Sequence, residues 1–225
     1  MKAMILAAGR GSRMRPLTDH TPKPLLDVGG KPLIVWHIEN LKTAGFKDIV
    51  INIAWLGNQI PEALGDGSKF GVNLHYSDEQ QEGALETAGG IIKALPLLSE
   101  MPSENETFLV VNGDVWCDFN YSTINPIQND DLAHLVLVNN PEHNPSGDFS
   151  LNGRRIAEQG DNKLTFSGIG YYHPDLFKNM KTGKLALAPI LRENMGLNKI
   201  SGEFYQGEWR DIGMPERLEE LNAKM

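Results

Sequence analysis

The sequence has a single cysteine and no long apolar run. Because Cys117 stands alone among 225 residues, no disulfide can form within the chain, which fits a reducing compartment. No stretch approaches the ~20 apolar residues that a membrane helix needs. The apolar segment at residues 3–8 is too short for a signal peptide, and arginines follow it at once. We therefore expect a soluble, cytoplasmic protein.

Positive charge is also scarce, and it is unevenly distributed. The 21 lysines and arginines are outnumbered by 29 acidic residues, so the formal net charge is −8. This balance argues against a general nucleic-acid or membrane-surface binder. Residues 10–31 nevertheless carry a net charge of +3, which leaves −11 for the remainder. A cationic island in an acidic chain suits a small polyanion such as a triphosphate.

The cationic island begins with two glycines, Gly9 and Gly11, directly after the first apolar run. Glycine lets backbone N–H groups approach a phosphate closely. A dinucleotide-binding loop would need a third glycine where Met14 stands, and a P-loop would need Gly-Lys-Ser/Thr, so both familiar loops are disfavoured. A tight turn with solvated arginines remains the alternative.

Hydrophobic periodicity predicts alternating strands and helices in the first 140 residues. Strands are predicted at residues 2–8, 48–53, 72–76, 108–112 and 132–138, and helices at 31–41, 58–64 and 86–95. Later segments predict short strands at 149–151, 154–156 and 165–172, a strand or extended loop at 204–212, and helices at 187–195 and 215–224. We predict an α/β fold with a Rossmann-like, mostly parallel sheet flanked by helices and a more irregular C-terminal half, in one domain spanning residues 1–225.

Three charged side chains are candidates for chemistry. Lys23 lies between two prolines, which restrict the backbone, and a fixed ammonium can neutralise a transferring phosphoryl group. Asp114 follows an apolar strand at the sheet edge where α/β proteins bind ligands, and Asp211 precedes Gly213. Two such carboxylates are typical ligands of Mg²⁺. An exposed lysine, a plain Asn-Gly-Asp turn and a structural ion pair are the alternatives that remain open.

A longer motif contains these residues. Residues 6–17 read Leu-Ala-Ala-Gly-x-Gly-x-Arg-Met-x-Pro-Leu, and residues 22–25 read Pro-Lys-Pro-Leu. Together they resemble the signature of the sugar-1-phosphate nucleotidyltransferases, and Asp114 and Asp211 fall where that family keeps its two metal-binding aspartates. Segments 52–57, 85–91, 111–116 and 133–138 resemble the short bacterial N-acetylmuramate α-1-phosphate uridylyltransferases within this family. The resemblance covers nearly the whole chain.

The resemblance implies a fold, a cofactor and a reaction. The fold would be that of the nucleotide-diphospho-sugar transferases, with residues 1–140 mainly binding nucleotide and 141–225 mainly binding sugar. The cofactor would be Mg²⁺. UMP would pass from UTP to N-acetylmuramic acid α-1-phosphate in peptidoglycan recycling. The expected partners are these small-molecule substrates, with neither nucleic acid nor a membrane, and the oligomeric state stays open. Because the chain ends at Met225, without room for the hexapeptide-repeat domain of bifunctional relatives, we expect a single activity.

The resemblance also assigns roles to individual residues. Arg13 would hold the β- and γ-phosphates, Lys23 would bridge the two reacting phosphates, and Asp114 and Asp211 would hold Mg²⁺. The nucleotide would be bound by Ala8, Gly9, Gly11, Ser12, Arg13, Lys23, Gln80, Glu82 and Gly83. The sugar phosphate would be bound by Asn112, Gly147, Asp148, Glu158 and Ser167. This chain departs from the family pattern in the loop at residues 78–84, which is longer, and at Ala84, where proline is common.

Rival functions remain open at this level. Within the family they are mannose-1-phosphate guanylyltransferase and glucose-1-phosphate thymidylyl- or uridylyltransferase, because base choice rests on one or two hydrogen bonds. Outside the enzymes, a nucleotide-sugar sensor could keep the fold without turnover. The joint presence of Arg13, Lys23, Asp114 and Asp211 argues against such a degenerate copy.

Overall fold

A computed structural model describes residues 1–99, 107–121, 127–128 and 130–225. The strands in these ranges are β1 (Ala3–Leu6), β2 (Asp27–Val28), β3 (Lys31–Pro32), β4 (Asp48–Ile53), β5 (Asn73–Asp78), β6 (Phe108–Asn112), β7 (Val115–Cys117), β8 (Ala133–Val138), β9 (Ser150–Asn152), β10 (Arg155–Ala157), β11 (Thr165–Tyr172), β12 (Ile200–Phe204) and β13 (Trp209–Asp211). The α-helices are α1 (Leu33–Thr43), α2 (Gln59–Leu64), α3 (Glu86–Leu98), α4 (Leu187–Gly196) and α5 (Pro215–Asn222). None of the described helices is long and apolar enough to cross a membrane.

Nine strands form one sheet in the order β5-β4-β1-β6-β11-β8-β12-β10-β9. Strands β5, β4, β1 and β6 are parallel neighbours, and only β10 and β11 run against the common direction. The predicted α/β fold with a mostly parallel sheet is therefore confirmed. Because β1 and β6 are parallel and adjacent, their carboxyl ends meet at the same edge of the sheet.

Helices cover both faces of this sheet. Ile5 of β1 belongs to one core cluster with the buried face of α1, whereas its neighbour Met4 belongs to the opposite cluster with α3 and α4. The same alternation separates Ile49 and Ile51 from Val50 in β4. Strands buried on both faces need apolar residues at every position, which explains why these segments show no polar alternation.

A third apolar cluster joins the two ends of the chain. Leu218 and Leu221 of α5 pack with Met14 of the glycine-rich segment, with Leu33 at the start of α1, and with Ile212. The strand pair β7–β13 stands outside the main sheet beside this cluster. The C-terminal segment is thereby held next to the N-terminal loop.

Most predicted elements are present, with shifted boundaries. The segments 48–53, 108–112 and 165–172 are strands over those bounds. The first helix begins two residues later than predicted because Lys31 and Pro32 pair with β2 as β3. Strand β12 was not predicted, and of the segment 204–212 only Phe204 and residues 209–211 are in strands.

Candidate functional site

A cleft of about 380 Å³ opens at the carboxyl ends of β1 and β6. The glycine-rich loop forms one wall, and the start of α3 forms another. Its lining residues are Leu6, Ala7, Ala8, Gly9, Gly11, Ser12, Arg13, Lys23, Pro24, Asn52, Glu79, Ala84, Glu86, Thr87, Asn112, Gly113, Asp114 and Gly213. The structure thus brings the N-terminal motif, Asn112 and Asp114 together, where open α/β sheets bind ligands.

Close backbone contacts shape the loop. The amide of Gly113 donates to the carbonyl of Leu6 at 2.9 Å, and a Cβ atom at Gly113 would lie only 2.5 Å from that oxygen. Gly11 adopts a left-handed conformation with φ of 63°, and its carbonyl accepts from the hydroxyl of Thr18 at 2.8 Å. These two glycines let the β1 loop fold against both the turn after β6 and the segment that carries Lys23.

The three arginines of this loop differ in their surroundings. The guanidinium of Arg10 stacks on the ring of Trp55 at 4.4 Å, and Arg15 forms an ion pair with Asp19 at 2.6 Å. Arg13 is exposed and lines the cleft, and no carboxylate pairs with it among the residues that the structure describes. Arg13 is therefore the arginine of this loop that an anion in the cleft can reach.

Lys23 is a buried cation on the cleft wall, with only 7% of the residue exposed. Its ammonium lies 2.9 Å from Oδ2 of Asp114. Its stem packs close to Gly11, where a Cβ atom would lie 3.3 Å from Cβ of Lys23. Because a buried lysine must keep a partner for its charge, this contact fixes the ammonium at the cleft.

The two candidate aspartates are neighbours in space. In the antiparallel pair β7–β13, Asp211 lies opposite Val115, the residue after Asp114. The amide of Ile212 also donates to the carbonyl of Asp114 at 2.9 Å. The strand pair thus places both aspartates at one end of a two-stranded ladder beside the cleft.

Asp211 has two basic neighbours. Its Oδ2 accepts from Nη1 of Arg217 at 2.5 Å and lies 3.0 Å from Nε2 of His143. Both candidate metal ligands therefore contact basic side chains in this structure, Asp114 through Lys23 and Asp211 through Arg217 and His143. Each carboxylate thus has a positively charged side chain beside it, Lys23 at Asp114 and Arg217 at Asp211.

The residue types fit Mg²⁺ bound together with a nucleotide. The described residues contain no group of three or more His, Cys, Asp or Glu side chains that could hold an ion by themselves. Mg²⁺ commonly takes one or two protein carboxylates and completes its shell with water and substrate phosphates. Asp114 and Asp211 supply that number of carboxylates, and the adjoining cleft leaves room for the phosphates.

A buried polar network, which sequence reasoning missed, joins the cleft walls. Glu79 is fully buried: its Oε1 accepts from the Asn52 amide at 2.7 Å, and its Oε2 accepts from the backbone N–H of Leu85 at 2.9 Å. Asn52 in turn accepts from the backbone N–H of Ala7 at 2.7 Å. Burial raises the pKa of Glu79, and the hydrogen bonds from Leu85 and Asn52 oppose this. The sequence feature that could have revealed this network is Asn52, a polar residue within the otherwise apolar segment 49–53.

The predicted base-binding loop stands beside the cleft. Gln80 donates to Asn58 at 3.1 Å and to Asp78 at 3.2 Å, and Glu82 forms an ion pair with Lys93 at 2.6 Å. These residues and Gly83 are exposed and do not line the cleft, whereas the following residues Ala84, Glu86 and Thr87 do. Their predicted contacts with the base stay a prediction.

The predicted sugar-binding residues fall into two groups. Asn112 lines the cleft and packs against Gly168, whose φ of 81° and lack of a side chain make room for its amide. The other predicted residues do not line it. The hydroxyl of Ser167 donates to the carbonyl of Val136 at 2.7 Å within the sheet.

Three more of these residues lie in the C-terminal half. Asp148 accepts from the Phe166 backbone at 2.8 Å, and Glu158 pairs with Arg192 at 3.0 Å on the surface. Gly147 has a φ of 63°, and a Cβ atom there would lie 2.7 Å from the backbone of Lys163. This structure therefore brings only Asn112 of the predicted sugar-binding set into the cleft.

Comparison with known proteins gives matches over most of this chain. A family model described as nucleotidyl transferase matches residues 2–225. An N-acetylmuramate alpha-1-phosphate uridylyltransferase of Neisseria meningitidis serogroup B is 56% identical over 231 residues, covering 99% of this chain and 97% of that protein. A UTP–glucose-1-phosphate uridylyltransferase of Synechocystis is 38% identical over 84% of this chain. A mannose-1-phosphate guanyltransferase of Gibberella zeae is 30% identical over 96% of it.

The chain spans only 49% and 62% of the last two relatives. Among solved structures, a protein assigned as a glucose-1-phosphate thymidylyltransferase of Bacillus anthracis, crystallised with sucrose, superposes with a TM-score of 0.81. The alignment covers 100% of this chain and 94% of that one at 24% identity, and at that identity it shows a shared fold.

Proposed function

The chain belongs to the nucleotidyl transferase family, and from this membership we propose that it transfers UMP from UTP to N-acetylmuramic acid α-1-phosphate. The products are UDP-N-acetylmuramic acid and pyrophosphate. The observation that carries this proposal is the 56% identity with the Neisseria uridylyltransferase over nearly the full length of both chains. Transferases for glucose and mannose phosphates share less identity with this chain and are the alternatives within the family.

The reaction requires that the two substrates are aligned and that their negative charge is neutralised. A phosphate oxygen of the sugar 1-phosphate attacks the α-phosphorus of UTP, a new P–O bond forms, and the bond from the α-phosphorus to the bridging oxygen breaks. Pyrophosphate takes the electron pair. The attacking phosphate is already ionised at neutral pH, so no general base is required. Positioning two anions in line and offsetting their charge then accounts for most of the rate enhancement.

The cations of the cleft are assigned to the phosphates. Arg13 holds the β- and γ-phosphates, a role supported by its exposure in the cleft without an acidic partner among the described residues. Lys23 bridges the α-phosphate and the sugar phosphate, a role supported by its burial and by the fixed position of its ammonium. Backbone groups of Ala8, Gly9, Gly11 and Ser12 line the same wall and bind the nucleotide.

Asp114 and Asp211 would hold Mg²⁺, which when bound supplies further neutralisation of the triphosphate charge. Their adjacency at the end of the β7–β13 ladder supports this assignment. Lys23 then exchanges part of its contact with Asp114 for contact with the substrates. The chain's own residues thus hold the phosphates from two sides.

The remaining assignments concern the base and the sugar. Residues 80–83 contact the base from a loop next to cleft residues Ala84, Glu86 and Thr87, and Asn112 contacts the sugar. In this proposal residues 1–140 mainly bind the nucleotide and residues 141–225 mainly bind the sugar. The reaction serves peptidoglycan recycling in the cytoplasm, where UTP is made.

A pyrophosphate-release assay tests the proposal. The purified protein is offered each of four nucleoside triphosphates with N-acetylmuramic acid, N-acetylglucosamine, glucose and mannose 1-phosphates, with Mg²⁺ or with EDTA. We expect the highest kcat/KM for UTP with N-acetylmuramic acid 1-phosphate, a product mass of UDP-N-acetylmuramic acid, and no turnover in EDTA. Preference for GTP with mannose 1-phosphate would overturn the substrate assignment. Nucleotide-sugar binding without turnover would favour the sensor.

A further inference from the structure

Two basic side chains meet at the edge of the cleft, on the side of Asp211. Arg217 comes from α5, and His143 comes from the loop between β8 and β9, so the fold brings them together from distant parts of the sequence. Their nitrogens Nη1 and Nε2 are 3.5 Å apart, and both contact the same oxygen of Asp211. The shared carboxylate offsets the cost of placing two basic groups side by side.

Gly213 adjoins both this pair and the cleft. Gly213 lines the cleft, and a Cβ atom there would lie 3.3 Å from Nη1 of Arg217 and 2.9 Å from Asp211. The side chains of Arg217 and His143 are 23% and 36% exposed, so both are accessible to solvent.

The guanidinium of Arg217 also has N–H donors that can bind a ligand. Only its Nη1 serves Asp211, and its Nη2 contacts the sulfur of Met214 at 3.9 Å, which is a weak acceptor. Arginine carries five N–H donors in a planar fork, and among the described residues no acceptor contacts Nε or the second N–H of Nη2, so these two can bind an incoming anion.

The acceptor sugar of the proposed function has an anion that needs such a partner. N-acetylmuramic acid carries a lactyl carboxylate in addition to its 1-phosphate, whereas N-acetylglucosamine does not. A chain with a net charge of −8 repels an additional carboxylate unless a local cation compensates for it. Arg13 and Lys23 lie on the glycine-loop wall with the triphosphate, whereas Arg217 and His143 lie beside the C-terminal strand β13.

We propose that Arg217 and His143 form a subsite for the carboxylate of the acceptor sugar and so determine its specificity. This inference rests on the proposed function. Arg217 binds the carboxylate through its free donors while keeping its contact with Asp211, and His143 supplies a second donor. The geometry of an arginine fork matches a carboxylate, which favours this ligand over a neutral sugar hydroxyl.

The test compares two acceptors that differ in the lactyl group. The ratio of kcat/KM for N-acetylmuramic acid 1-phosphate to that for N-acetylglucosamine 1-phosphate is measured with UTP in the wild type and in Arg217→Gln, Arg217→Lys and His143→Gln. A disturbed Asp211 lowers both rates and cancels in this ratio. Arg15→Gln, which also removes an arginine from a carboxylate partner, is the matched control, and thermal unfolding verifies that each variant is folded.

We expect the wild type to prefer the carboxylated acceptor and Arg217→Gln to lower the ratio about tenfold or more. Arg217→Lys, which keeps the charge without the fork, should retain part of the preference, and His143→Gln should lose a smaller part. An equal fall for both acceptors, or a wild type that does not discriminate, overturns the subsite. A wild type without activity on N-acetylmuramic acid 1-phosphate would instead contradict the proposed function itself.

Discussion

The ammonium of Lys23 lies 2.9 Å from the carboxylate of Asp114, although the two residues are 91 positions apart in the sequence. The contact joins the cationic segment of the N-terminal motif to the turn after β6. It holds a buried cation and a candidate metal ligand at one point of the cleft.

Removing the ammonium should impair the chemical step more than substrate binding. We expect Lys23→Ala to lower kcat by a larger factor than it raises KM for UTP, because the charge acts mostly on the transition state. Steady-state rates of pyrophosphate release measure both parameters. Lys47→Ala is the control, since Lys47 is exposed and precedes β4 at the opposite edge of the sheet. An unchanged kcat in Lys23→Ala would remove this residue from the mechanism.

Removing one carboxylate charge should abolish most of the turnover. Asp114→Asn keeps the size of the side chain but weakens a ligand of Mg²⁺, so we expect kcat to fall by about 10²-fold or more. Asp211→Asn should behave in the same way. The rates are measured over a Mg²⁺ titration, with Asp161→Asn on an exposed turn as the control. Near-normal rates at saturating Mg²⁺ would contradict the assignment.

A methyl group at Gly90 should disrupt the buried network of Asn52 and Glu79. A Cβ atom there would lie 2.8 Å from Oε1 of Glu79 and 2.9 Å from Nδ2 of Asn52. Alanine is the better helix former by about 1 kcal/mol, but the clash in a packed site outweighs this, so Gly90→Ala should lower the free energy of unfolding by about 1–3 kcal/mol. Urea denaturation measures the change.

The matched control for Gly90 is Gly196 at the end of α4, where a Cβ atom meets nothing within 4 Å. Gly196→Ala should be neutral or stabilising by up to about 1 kcal/mol. Similar effects of the two substitutions would show that Gly90 does not serve the network.

The stability of the protein should fall between neutral pH and pH 4 because of His37. Burial lowers the pKa of His37 from 6.5 to about 4, against the opposing effects of the Val115 carbonyl and the Asp114 charge. Below pH 6.5 the unfolded chain binds a proton that the folded chain excludes, so the free energy of unfolding decreases as the pH falls to about 4, by up to about 3 kcal/mol. Below that pH this contribution stays constant.

Chemical denaturation of wild type and His37→Gln at several pH values measures this difference in slope. Glu79, whose pKa burial raises, contributes with the opposite sign, but it is present in both proteins and cancels. The exposed His20 provides the control substitution, His20→Gln, which should keep the wild-type slope. Equal slopes in wild type and His37→Gln would refute the role of His37.

The apolar pattern was sufficient to predict the central strands and insufficient for β12. Strands β4 and β6 are buried on both faces, so nearly every position is apolar and the sequence signal is strong. The middle of β12 reads Ser-Gly-Glu and carries no such signal. Its pairing with β8 forms it, and Gly202 is required because a Cβ atom there would lie 2.6 Å from the Leu135 carbonyl.

The residues of the candidate site also differ in whether the sequence could predict them. Gly11, Lys23 and Asp114 belong to contiguous motifs, so the sequence could place them at a common sheet edge. The pairs Asn52–Glu79 and Arg217–His143 are single residues contributed by distant elements, and no spacing rule connects them. The pairing of β4 with β5 brings Asn52 beside Glu79, and α5 carries Arg217 to the loop that contains His143.

In the proposed mechanism, Asp114 and Asp211 meet around one metal-bound triphosphate. The most direct test is a crystal structure of the protein with Mn²⁺ and a non-hydrolysable UTP analogue, with the metal located by anomalous scattering. We expect a single anomalous peak bound to carboxylate oxygens of both aspartates at about 2.1 Å and to phosphate oxygens of the nucleotide. A metal bound away from both aspartates, or a triphosphate outside the cleft lined by Lys23, would contradict it.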